Sequence, residues 1–167
     1  LGGVRHAMVV GDPEGKRGGS GGSTVYCLMR VLTRELAQKG GQTDNESVWR
    51  EILSRLRILI VHAGGDSKRL PAYGPCGKIF VPVPGEKNAA VPPTLFDRQL
   101  PTLLALPAMP DGGGQVVVVG GDALLDFDPA QVRFASHGVT GLGAYATPEA
   151  AGKHGVFCPG TDREVRL

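Results

Sequence analysis

Two glycines and two cations stand close together in the middle of the chain. Gly64-Gly65-Asp66-Ser67 leads to Arg69, and Lys78 follows nine residues later behind Gly77. Glycine lets backbone N–H groups approach a ligand closely, while arginine and lysine fix positive charge beside it. That combination suits chemistry on phosphates, where charge builds up in the transition state and must be offset. The bland alternative is a solvated basic turn. A second glycine-rich stretch, GKRGGSGGST at residues 15–24, runs into apolar positions at helical spacing. Gly19, Ser20, Gly21 and Gly22 would aim backbone N–H groups at an anion where a helix opens near Thr24. A plain flexible turn would read the same way. Neither common nucleotide fingerprint fits: Gly11 and Gly15 are one residue too close for a Walker loop, and Thr24 replaces the third glycine of GxGxxG. The third candidate is Asp122, which follows an apolar run and Gly120-Gly121. A carboxylate there suits a hard cation or marks a turn. Asp126 and Asp128 are close enough to serve instead, although DFDP reads as a loop ahead of a helix.

These residues need elements to hold them. Residues 7–10, 58–62 and 116–119 are short apolar runs that read as buried strands, each running into a glycine-bearing loop. Between the first two, Val25, Leu28, Met29, Leu32 and Leu36 mark one helix, which stops at Gly40-Gly41. Thr43 and Glu46 are spaced as a capping box for a second helix, with Val48, Trp49, Ile52, Leu53 and Leu56 on its apolar face. Residues 79–84 read as an extended, proline-broken piece. The segment GEKNAAVPP is a surface loop by composition. Thr94 is placed to cap a third helix carrying Leu95, Phe96, Leu100, Leu103 and Leu104, which Pro101 is expected to kink or split. Further strands are expected at 139–146, 155–158 and 164–167. Strands alternating with helices predict an α/β fold with a mainly parallel sheet and flanking helices. Ligands of such sheets bind beyond the carboxyl ends of the strands, where all three loops would open.

Composition narrows the function classes. A chain of 167 residues is one domain's worth. The 26 glycines and 13 prolines follow no collagen period, and 41% of residues are apolar, so neither a triple helix nor plain disorder fits. With 18 basic and 16 acidic residues the net charge is +2, which argues against a nucleic-acid or membrane-surface partner. The apolar runs fall far short of the roughly 20 residues that span a bilayer. The first residues, LGGVRHAMVV, lack an initiator Met and a signal-peptide pattern and look like a cut end. Cys27, Cys76 and Cys158 are an odd set at long intervals. They suggest a reducing cytoplasm rather than a disulfide framework.

The stretch VHAGGDSKRLPAYGPCGKIFVPVPG resembles sugar-nucleotide pyrophosphorylases, and more closely the fucokinase and fucose-1-phosphate guanylyltransferase family. The resemblance extends upstream through Asp12, Pro13, Gly15 and the Gly19–Thr24 loop. Downstream it takes in FDRQLP, the strand ending in Gly-Asp, and HGVF at 154–157. It implies a Rossmann-like sugar-nucleotidyltransferase domain, incomplete in residues 1–167, with the family's kinase part elsewhere. It also implies GTP and a sugar 1-phosphate as substrates and Mg²⁺ as cofactor. The implied roles are catalytic phosphate contacts from Arg69 and Lys78, and nucleotide binding by Gly19, Ser20, Gly21, Gly22, Thr24, Gly64, Gly65, Asp66 and Ser67. Asp122 would hold the metal and Gly155 the sugar. The competing expectation is a nucleotide-binding piece that does not turn over.

Overall fold

The computed structural model describes residues 3–16, 18–40, 45–64, 71–74, 77–84 and 90–152. The chain divides into two compact units, Leu1–Ser136 and His137–Leu167. The first carries α1 (Gly19–Gln38), α2 (Glu46–Leu53), β1 (Arg57–His62), α3 (Leu95–Leu104) and β2 (Gln115–Gly120).

β1 and β2 pair in parallel, with Arg57 opposite Gln115 and His62 opposite Gly120. A parallel pair needs a long crossover, and the connection that contains α3 supplies it. Successive strand side chains alternate between faces, so Leu59, Val117 and Val119 share one side. They pack against Leu103 of α3 and against Leu106 and Val132, with Leu125, Phe127 and Phe134 closing the cluster. Ile58, Ile60 and His62 lie on the opposite face. Ile60 is buried there, and α1 packs against both β1 and α2. On that same face Val116 and Val118 of β2 stay nearly half exposed.

The helix ends explain themselves locally. Thr94 and Asp97 form a reciprocal capping box at the start of α3. The Thr94 hydroxyl accepts from the Asp97 N–H at 3.3 Å, and the Asp97 carboxylate accepts from the Thr94 N–H at 2.8 Å. α3 runs through Pro101 without splitting. Pro101 is exposed on the outer side, while Leu95, Gln99, Leu100 and Leu103 are buried on the inner side and hold the helix together. At α2 the cap is Asn45, whose side chain accepts from the Ser47 N–H, rather than Thr43, which lies outside the described residues. Glu46 reaches forward instead, to Arg50 one turn on at 2.6 Å. Of the apolar positions read from α1 and α2, Leu32 and Ile52 are buried and Leu28, Trp49 and Leu53 half-buried, whereas Val25 and Met29 face outward.

The strands expected at 7–10 and 139–146 do not form. Residues 7–10 have no regular structure and Val9 is fully exposed, because among the described residues β1 and β2 pair only with each other and offer this run no ladder. Residues 79–84 give a 3₁₀ turn, Lys78–Phe80, and an isolated bridge between Pro82 and Thr94. In the second unit, residues 139–146 are irregular, with Val139 and Tyr145 exposed. Glycines at 138, 141 and 143 remove the side chains and the backbone economy a strand needs there. This unit's described helix is the single turn α4 (Pro148–Ala151), capped by Thr147. The strands expected at 155–158 and 164–167 lie outside the described residues.

Candidate active site

The site is built where β1 and β2 end together. Past the last paired residues, the Gly121 N–H donates to the His62 carbonyl at 2.8 Å, so the turn after β2 is tied to the end of β1. A side chain at position 121 would put its Cβ 2.6 Å from that carbonyl oxygen and 3.2 Å from Ile79. Glycine is therefore required for the approach. The same logic acts at Gly77, whose φ is +82° and whose added Cβ would lie 3.0 Å from the Ala63 carbonyl oxygen. This glycine turns the chain against the exit of β1 and starts the 3₁₀ turn that carries Lys78.

Lys78 and Asp122, 44 residues apart, meet across these two ends. The Lys78 Nζ donates to the Asp122 carboxylate at 3.0 Å. The lysine side chain is 35% exposed and the aspartate 58%. The hydrogen bond from Lys78 is the main cause that holds the Asp122 carboxyl below its usual range, with partial burial opposing it and the lysine charge adding to it. Asp122 is thus charged at neutral pH, and the two groups lie near the surface, only partly committed to each other. Lys78 keeps further N–H donors and Asp122 further lone pairs for a ligand.

α1 approaches the same strand end from the other side. It begins at Gly19, five residues before the expected start, so Gly19, Ser20, Gly21 and Gly22 form its first turn rather than a loop ahead of it. No side chain caps this end and no acidic residue lies in the first turn. Its exposed N–H groups are available to an anion. Ser23 donates to the Asp12 carboxylate at 2.9 Å, tying the preceding turn to the helix. Thr24 Oγ1 lies 2.8 Å from the Ser20 carbonyl and 2.8 Å from His62 Nε2. A hydroxyl has one proton, so with it given to Ser20 the imidazole donates through Nε2. His62 therefore joins α1 to the end of β1 and, through its carbonyl, to Gly121.

Of the site residues read from the sequence, the structure joins Lys78 directly to Asp122 and links Thr24 to them through His62 and Gly121. Gly64 is exposed just past β1. Gly65, Asp66, Ser67, Arg69 and Gly155 lie outside the described residues. Asp128 is occupied as the cap of the 3₁₀ turn Pro129–Gln131, accepting from the Ala130 N–H and the Gln131 side chain. Of the three aspartates, Asp122 is the one that meets Lys78. Among the described residues no three His, Cys, Asp or Glu side chains gather as a metal cage. A single carboxylate still fits magnesium, which takes one or two protein carboxylates and completes its shell with water and substrate phosphates. Two contributors escaped the sequence reading. His62 stood in the motif without a role, and Gln99 was hidden in FDRQLP on the buried face of α3.

Residues 50–166 match the fucose pyrophosphorylase domain. The chain is 33% identical over 160 residues to the bifunctional fucokinase/GDP-fucose pyrophosphorylase of Arabidopsis thaliana, covering 90% of this chain and 15% of that protein. It is 29% identical over 149 residues to the L-fucokinase/L-fucose-1-P guanylyltransferase of Bacteroides fragilis, covering 87% of this chain and 15% of the relative. The fucose-1-phosphate guanylyltransferase of Mus musculus is 28% identical over 157 residues, 93% of this chain and 24% of that protein. The chain thus spans between 15% and 24% of the length of these relatives. No solved structure matches it. Its domain match, and the agreement across nearly its whole length with these three proteins, show that the chain belongs to the fucose pyrophosphorylase domain family.

Proposed function

We propose that this chain is part of a guanylyltransferase that makes GDP-L-fucose and pyrophosphate from GTP and L-fucose 1-phosphate. The observation that carries the reading is the Lys78–Asp122 pair, set at the joined carboxyl ends of β1 and β2, where α/β sheets bind their ligands. The names of the relatives supply the nucleotide and the sugar.

In the reaction, a phosphate oxygen of the sugar phosphate attacks the α-phosphorus of GTP in line, and the bond to the β-phosphate breaks to release pyrophosphate. Such a transfer needs no protein nucleophile; positioning and electrostatics carry it. The uncapped first turn of α1, at Gly19, Ser20, Gly21 and Gly22, offers N–H groups to the nucleotide phosphates, and Thr24 holds that turn against His62. Gly64, Gly65, Asp66 and Ser67 would wrap the nucleotide from β1. Lys78, with Arg69, offsets the charge that develops as pyrophosphate leaves, and Gly155 would contact the sugar. Asp122, with the nucleotide phosphates, would hold Mg²⁺, which when bound supplies Lewis-acid neutralisation of those phosphates.

A half-buried free thiol at Cys27 is compatible with the reducing cytoplasm we propose as the setting. Among the described residues no helix is long and apolar enough to cross a membrane.

The test is product formation by the chain in its full-length reading frame, supplied with L-fucose 1-phosphate, Mg²⁺ and one nucleoside triphosphate at a time, read by mass spectrometry. GDP-L-fucose from GTP is the expected result, with ATP a poorer donor. Product from ATP or UTP but not GTP removes the guanylyl assignment. Nucleotide binding without product from any donor supports the non-catalytic alternative.

A further inference from the structure

Among the described residues Gln99 has the most deeply buried large side chain, 1% exposed, and it lies beneath the turn that carries Asp122. It sits on the inner side of α3 beside the buried Leu95, Leu100 and Leu103, where an apolar residue would satisfy packing alone. Its amide nitrogen donates instead to the carbonyl of Ala123, the residue after Asp122. A carbonyl only accepts, so this partner fixes which way the amide faces and sends Oε1 the other way. Among the described residues Oε1 has no partner. Burying an amide with one atom unpaired opposes folding, so stability alone does not account for glutamine at this place.

The Gly120–Asp122 turn is held from three directions. The His62 carbonyl takes the Gly121 N–H, Lys78 takes the Asp122 carboxylate, and Gln99 takes the Ala123 carbonyl. The first two contacts lie at the open end of the sheet and involve groups that would also face a ligand. The third comes from the core, from a side chain that is itself buried.

We propose that Gln99 is a positioning residue for the nucleotidyl-transfer site: its buried amide fixes the Ala123–Leu124 peptide, directly after Asp122, so that the Asp122 carboxylate faces Lys78. The inference rests on the guanylyltransferase reading of that site. It asks nothing of Gln99 chemically, since the side chain reaches neither substrate nor metal.

Two variants of nearly equal volume test it in the full-length protein. Gln99→Met removes the donor and the unpaired oxygen together, so the melting temperature should change little while kcat for GDP-L-fucose formation falls tenfold or more. Gln99→Glu should be active at low pH, where a neutral carboxyl can donate to the Ala123 carbonyl. It should lose activity as the pH rises and that carboxyl ionises, giving a falling limb that the wild type lacks. Wild-type kcat in Gln99→Met, or a Gln99→Glu profile parallel to wild type, overturns the proposal. Should Gln99→Met fail to fold, the Gln99→Glu profile decides alone. Acylation of Lys78 by a water-soluble amine reagent, followed by mass spectrometry, separates this inference from the reaction itself. A Lys78 freed from Asp122 should react several-fold faster in Gln99→Glu at high pH than in wild type, relative to Lys39 in the same sample. An unchanged Lys78 rate overturns the positioning role even if the protein makes no GDP-L-fucose, which would overturn only the reaction.

Discussion

The two ends of the β1–β2 pair both carry a polar link, and the links differ in kind. At the amino end, Arg57 donates through Nε to the Gln115 side chain at 3.0 Å and through Nη2 to the Leu106 carbonyl at 2.9 Å. Gln115, 6% exposed, donates in turn to the Pro107 carbonyl at 3.2 Å. Both side-chain heteroatoms of Gln115 are thus used within the fold. At the carboxyl end, Lys78 and Asp122 share one 3.0 Å contact and otherwise face solvent. The first first turn of α1 nearby has no side-chain cap. Polar groups that serve only the fold are paired to completion, because leaving one buried and unpaired is costly. Under the proposed function, the polar groups at the carboxyl end are left partly open for a ligand.

Breaking the open end should give the largest effect, and in activity rather than stability. Lys78→Met keeps most of the aliphatic stem and removes a charge-assisted contact, worth about 1.5–3 kcal/mol for hydrogen bonds to charged groups. Steady-state kinetics on the full-length protein should show kcat/KM reduced roughly tenfold to hundredfold. The melting temperature should move little, since exposed ion pairs contribute about 0–1 kcal/mol. Lys39, an exposed lysine 3.4 Å from Glu51, is the control, and Lys39→Met should keep its activity. Equal activity in the two variants would mean that Lys78 is a surface lysine.

The closed end should answer the other way. Arg57→Met leaves the Gln115 Oε1 and the Leu106 carbonyl without their donor, and an unsatisfied buried acceptor costs about 1–3 kcal/mol. Urea unfolding should show that loss as a lower midpoint, with KM for GTP unchanged. A KM change without a stability change would erase the distinction between the two ends.

Thr24→Val lies between these cases, because the hydroxyl serves both the helix and the site. It removes the contact to His62 while keeping a β-branched side chain of similar shape. A typical net hydrogen bond is worth about 0.5–1.5 kcal/mol. Both the urea midpoint and KM for GTP should shift modestly, and a shift in stability alone would make the Thr24–His62 link purely structural.

The same contrast bears on what could be read from the residues in order. β1 and β2 were legible as continuous apolar runs, and the Thr94 cap from its residue type ahead of an apolar helix. The run at 7–10 is likewise apolar, yet a four-residue run does not say whether a partner strand waits for it. The glycines at 19–22 read as a loop because glycine is a poor helix former, but α1 starts there and its later turns compensate. Lys78 and Asp122 were legible by type and by their place after glycine turns. Their mutual contact was not, because it spans 44 residues and depends on strand register. Gln99 was invisible for a related reason: nothing in FDRQLP says that the glutamine faces inward until α3 is seen to run unbroken past Pro101.

The smallest predicted effect concerns the capping box of α3, which supports the open end from a distance by setting where the helix that carries Gln99 begins. Asp97 has its carboxyl lowered below the usual carboxylate value, first by the Thr94 backbone N–H and then by the Thr94 hydroxyl. A group whose folded pKa is depressed contributes stability that is present above its unfolded value, near 3.8, and is lost as pH falls through the lower folded value. Asp97→Asn keeps a side-chain acceptor but removes the charge that responds to pH. The wild type should therefore exceed Asp97→Asn in stability at neutral pH, and the difference should shrink below about pH 4, where the carboxylate takes up its proton. Thermal melts of the two proteins across that interval measure the effect as a difference, which cancels the other carboxylates common to both. A gap that stays constant down to strongly acidic pH would show that the Asp97 charge contributes nothing and that the box works through its hydrogen-bond geometry alone.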